Sequence, residues 1–196
     1  MAGTQSHSRG NPRHLARLLD SVQRGDIGLW NNYIRKMGAF FHARLAGASL
    51  KNLALGEVNL MGADLCNSDM SGANLARANL IGARLEGASL VGANLSGARL
   101  NQCNFSNSNL NRTNLTNTNL HTAILTDAAL GGANLERANL IGARLEGASL
   151  VGANLSGARL NQCNFSNSNL NRTNLTNTDL HTAILTDATL DGIDSE

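Results

Sequence analysis

Histidine, cysteine, serine and arginine are the residues of this 196-residue chain with chemistry to offer. His121 and His181 have the donor atoms of a metal site, Cys103 and Cys163 those of a disulfide or a thiolate centre, and Cys66 is a further thiol. Serine is plentiful, but no GxSxG elbow surrounds any of it, and no Gly-rich phosphate loop is present. Arg84, Arg99, Arg144 and Arg159 are candidates for a polar contact face. The histidine, the arginines and one cysteine come in copies sixty residues apart, Cys66 having none: 77–128 recurs as 137–188 with one difference, Asn119 against Asp179. Such near-identity implies either a recent tandem duplication or an engineered insertion. A histidine that exists because its segment was duplicated is one surface residue seen twice, not half of a ligand set.

The elements that must position these residues are set by an unusual composition. Hydrophobic residues make up 42% of the chain but aromatics only 3%, with the single proline Pro12, so large irregular side chains cannot fill the core. Net charge is +2: residues 1–39 carry six Arg/Lys against two Asp, and the remainder ten basic against twelve acidic residues. That balance does not mark a nucleic-acid binder. No apolar run reaches about 20 residues, so no membrane span is expected. Three cysteines and no basic-then-apolar leader point to the cytoplasm.

The period of the chain is five. Every multiple of five from Leu45 to Leu190 is Leu except Met70, Phe105 and Phe165, and Phe40 is expected to open the series. The residue two positions earlier is small in almost every repeat, Leu53 and Val58 being bulky exceptions. Five suits neither a 3.6-residue helix nor a continuous two-residue alternation, so the chain must turn once per repeat. The large residue and the small one share the inward face, and the other three face solvent.

Units such as Ala63-Asp64-Leu65, Ala73-Asn74-Leu75 and Ala133-Asn134-Leu135, each followed by two variable residues, resemble the A(D/N)LXX signature of the pentapeptide-repeat family. The resemblance implies an all-β solenoid: a right-handed quadrilateral parallel β-helix of about 7.5 coils, twenty residues per coil. A column of asparagine at Asn74, Asn94, Asn114, Asn134, Asn154 and Asn174 supports the same twenty-residue turn and predicts an amide ladder. Coils about 4.8 Å apart make a rod about 36 Å long and put His121 about 14 Å from His181, too far to share an ion. Cys103 and Cys163 are equally far apart, beyond the roughly 7 Å limit of a disulfide, and read as core fillers, with Cys66 outward. Gly62, Gly72, Gly82, Gly87, Gly92 and Gly97 predict type II corners, and Asn107, Arg112, Asn117 and Thr122 in the same slot predict a different, less regular turn.

The chain divides into a disordered tail (1–10), a helical N-terminal cap (11–39), the β-helix (40–190) and a C-terminal tail (191–196). Asn11 and Pro12 open one cap helix and Asp26 a second, whose Trp30, Tyr33, Ile34 and Met37 form a plug over the first coil. The last coil would show an apolar floor, and Leu185, Leu190 and Ile193 would centre a tail-to-tail homodimer. A uniform rod offers no cleft for catalysis, so a non-catalytic protein-binding or scaffolding role is expected, with no cofactor, no metal and no direct nucleic-acid contact. The family resemblance implies an alternative, a DNA-mimic inhibitor or protector of DNA gyrase or topoisomerase. Such rods are strongly acidic, whereas this body is near neutral.

Overall fold

The computed structural model describes residues 10–194. The hydrogen bonds of one repeat explain why five residues suffice to build an edge. In 63–67, Ala63 N–H closes the corner on Leu60 O (3.0 Å), and Asp64 N–H reaches Ala43 O of the preceding coil (2.8 Å). Leu65 and Asn67 donate to Arg84 O and Glu86 O of the following coil (2.8 and 2.9 Å). The last donor, Cys66 N–H, is taken by the Asp64 carboxylate of its own repeat (3.3 Å). All five N–H groups are satisfied, so each edge needs only a one-residue parallel bridge to its neighbours at ±20.

These bridges define four faces of a right-handed quadrilateral β-helix. Face 1 carries the outward column Arg44, Asp64, Arg84 and onward to Ile184, and face 2 the column from Ser49 to Thr189. Face 3 carries Ala54 and then the asparagines from Asn74 to Asn174, and face 4 runs from Asn59 to Asp179. Inside, the leucines from Leu45 to Leu170 are essentially inaccessible, with Met70, Phe105 and Phe165 filling the same slot. Each buried leucine contributes about 1.5–3 kcal/mol against the ordering entropy of its repeat. Most inward polar residues bond to backbone, as Cys103 Sγ and Thr113 Oγ1 donate to Leu80 O and Leu90 O of the preceding coil (both 2.9 Å), whereas Ser108 Oγ has no partner among the described residues.

The corners correct one expectation. Asn107, Arg112, Asn117 and Thr122 do not make a different turn: their φ values of 60, 58, 55 and 54° match the 62–69° of the corner glycines. Among the described residues, sixteen non-glycine residues sit in this left-handed region, all in the second corner position. Each costs about 1–2 kcal/mol locally, but backbone bonds from both adjoining repeats and from the next coil over-determine the geometry. Thr182, in the last coil, is absent from this set, and Gln162 N–H there meets Thr182 Oγ1 (2.9 Å), where Gln102 N–H meets His121 O (3.1 Å).

Helices α1 (Pro12–Gln23) and α2 (Ile27–Met37) cover the first coil. Asn11 Oδ1 accepts from Arg13 N–H and Asp26 Oδ1 from Gly28 N–H, satisfying donors that helix starts leave free. Phe40 does not begin the inward series; it is 95% exposed, and Phe41 packs instead, between Tyr33 and His14 at ring distances of 5.7 and 5.0 Å. The alternation that points Ala43 and Leu45 inward passes through Phe41, which fixes the phase. Gly10 belongs to the cap, since its N–H and that of Asn11 donate to Ala46 O and Arg44 O (3.2 and 2.7 Å); residues 1–9 of the expected tail lie outside the described part. In the last coil Leu180, Leu185, Leu190 and Ile193 are half-buried against the core. No helix among the described residues is long and apolar enough to cross a membrane.

Candidate interaction surfaces

Among the described residues no group of His, Cys, Asp or Glu is arranged to hold a metal ion. Burial pushes the thiol pKa of Cys103 and Cys163 up to about 12. Cys66 is also raised to about 12, first by burial and then by Glu86, whose carboxylate accepts its S–H at 3.1 Å, and by Asp64. A thiol held protonated in this way is a poor nucleophile.

The four arginines expected to share one contact face are divided between two. Arg84 and Arg144 project from face 1, Arg99 and Arg159 from face 4. Arg84 pairs with Glu86 and Asp64 (3.5 and 3.9 Å) and Arg144 with Glu146 (3.2 Å), so face 1 is internally neutralised. The reason is register: 84 and 99 differ by fifteen residues, three faces of a four-faced coil. Arg99 and Arg159 make no ion pair among the described residues.

The asparagine positions have a function that sequence reasoning missed. Seventeen outward Asn or Asp side chains accept a hydrogen bond from the N–H two residues on, as Asn114 does from Thr116 (3.1 Å). The expected amide ladder is present but partial. On face 3 it links Asn74–Asn94–Asn114 and Asn134–Asn154, and on face 4 Asn59–Asn79 and Asn119–Asn139. The alternation of Asn with Asp in the motif carried the missing signal, because only the side-chain oxygen is common to both.

Two of the four rod edges at the first coil meet the helical cap. His14 Nδ1 accepts from Arg44 N–H (3.0 Å) on face 1, and burial and then the Arg44 charge hold its pKa below the usual imidazole value. On face 4, Trp30 Nε1 donates to Asn59 O (2.9 Å) and Asn31 Oδ1 accepts from Asn59 N–H (2.7 Å). Trp30 and Ile34 are buried and Tyr33 is half-buried with Arg17 stacked on its ring at 4.5 Å, whereas Met37 projects into solvent. Between α2 and face 4 lies an open groove of about 510 Å3, floored by Ile34 and Phe41 and walled by Asn31, Arg35, Met61 and Asn79.

The fold, its five-residue unit and its outward Asn/Asp column define a pentapeptide-repeat solenoid. The pentapeptide-repeat family model matches residues 40–75, 59–97, 88–127, 128–167 and 163–194, and the chain belongs to that family. Similar solved structures include HetL, a pentapeptide repeat protein involved in heterocyst differentiation regulation from the cyanobacterium Nostoc. It is 29% identical, over 85% of this chain and 90% of that one, with a TM-score of 0.48. A trypsin-treated variant of QnrB1, a plasmid-mediated fluoroquinolone resistance protein, is 23% identical, over 80% of this chain and 86% of that one, with a TM-score of 0.55. No curated protein matches the chain.

Proposed function

We propose that this protein is a non-catalytic binding rod that acts by presenting its faces and its helical cap to another protein. The observation that carries this reading is the disposition of its reactive groups: the thiols are buried or held protonated, and no metal cluster occurs among the described residues. What remains is a rigid scaffold whose helical end carries a groove lined by Ile34, Phe41, Met61 and Arg35. The fluoroquinolone-resistance role named for QnrB1 is not carried over. Face 4 bears Arg99 and Arg159, without an ion pair among the described residues, and face 1 is neutralised, so neither reproduces the roughly one negative charge per 1.7 Å of duplex DNA. Affinity capture from the source cells on the full chain, with photo-crosslinkers placed on α2 and on each face, tests the reading. A protein crosslinked at one surface in stoichiometric yield is the expected result; crosslinks no more frequent than on a scrambled-surface control would sink it.

A further inference from the structure

The large apolar residues that this protein exposes are not spread evenly. One of them, Met61 (51% exposed), lines the groove between α2 and face 4, and Met37 (50%) and Phe40 (95%) adjoin its lining residues Gly38, Ala39 and Phe41 in the chain. Leu29 lies on α2 two residues before the lining residue Asn31, and Leu19 on α1, Val151 at the corner after face 2 and Ile184 in the last coil stand elsewhere. Single exposed hydrophobics need no explanation, but an exposed methionine that lines a groove together with Ile34 and Phe41 marks a contact surface. Arg35 lines that groove, and Lys36 follows it in the chain. Arg35 bonds only to the Asn32 side-chain oxygen, and neither it nor Lys36 has a carboxylate within 4 Å among the described residues. The nearby Glu57 is already paired with Arg77 (3.4 Å).

We propose that the groove between the C-terminal end of α2 and face 4 is the docking site for an acidic segment of a partner protein, which inserts one large apolar side chain between Ile34, Phe41 and Met61. The inference rests on the binding reading above and names its surface and partner chemistry. Apolar floor, amide walls and unpaired cations at the rim are the anatomy of a peptide anchor site: the floor supplies affinity, and Arg35 and Lys36 select for acidic neighbours. At about 510 Å3 the groove falls within the usual range of ligand sites. The groove is open to solvent, so a chain can lie in it and continue past it. Two rim cations are too few for a polyanion such as nucleic acid, where specific binders neutralise about 6–10 phosphates.

Selection of a random dodecapeptide phage library on the intact protein, followed by anisotropy of the enriched synthetic peptides, tests this. Enriched peptides should carry a large apolar residue flanked by Asp or Glu. Their affinity should fall at least about tenfold on Met61→Asp and on Arg35→Glu, and stay unchanged on Val151→Asp. Both groove substitutions fall at exposed positions, so an unchanged melting curve separates lost docking from lost fold. A lysine-substituted peptide should regain binding to the Arg35→Glu protein. Peptides without acidic residues, affinities indifferent to Met61→Asp, or no enrichment over the Met61→Asp protein would each overturn the proposal. A cellular partner that crosslinks to the wild type and equally to Met61→Asp would leave the binding reading standing and remove the groove from it.

Discussion

Replacing Asn114 separates two accounts of why asparagine recurs along face 3. The side chain does two things: Oδ1 accepts from Thr116 N–H at 3.1 Å, and Nδ2 donates to Asn94 Oδ1 at 3.2 Å. Asn114→Ala removes both. The first is the equivalent of a helix cap, worth about 1 kcal/mol, because Thr116 N–H has no coil partner to fall back on. The second is a half-exposed amide–amide bond worth about 0.5 kcal/mol. Asn114→Asp keeps the acceptor and loses only the donor. The expected losses are therefore about 1.5 kcal/mol for Ala and about 0.5 for Asp, read as shifts of the urea midpoint at constant slope. If Asp proves as damaging as Ala, the ladder carries the stability and the corner account is wrong.

Three further outcomes follow from the same structure. His14 takes up its proton less readily in the folded protein than the ordinary imidazole at 6.5, so below about pH 6.5 the unfolded state gains protons that the cap refuses. The cap should therefore weaken as pH falls from 7 toward 5, seen as a falling melting temperature of the fluorescence of Trp30, the only tryptophan, and His14→Gln should flatten the trend. Thr122→Gly relieves a β-branched residue at φ 54° and should raise the midpoint by up to about 1 kcal/mol after the entropy cost of glycine; a loss of stability would show that the corner is unstrained. Cys66 should react with a thiol reagent at pH 8 far more slowly than a free cysteine, and Glu86→Gln should speed it only in part, because burial is the larger cause of its raised pKa.

Most of the fold was legible because it is a one-dimensional pattern: a five-residue period places Leu65 inward and Asp64 outward without reference to any distant residue. What escaped depends on contacts between coils or between cap and rod. The turn at Asn107 follows the glycine corners because the neighbouring coils hold it, a constraint invisible to local propensity. Phe41 rather than Phe40 packs against the core because the cap aromatics Tyr33 and His14 take it in, whereas the five-residue period alone points to Phe40. The groove was hidden for the same reason, since Met61 and Arg35 meet only when α2 docks on face 4.

Hydrogen exchange of the whole protein, free and saturated with its crosslinked partner or with an enriched acidic peptide, tests most directly where this rod does its binding. The account predicts new protection in 34–42 and around Met61, with the amides of faces 2 and 3 unchanged. Protection confined to faces 2 and 3, with the end of α2 exchanging as in the free protein, would contradict it.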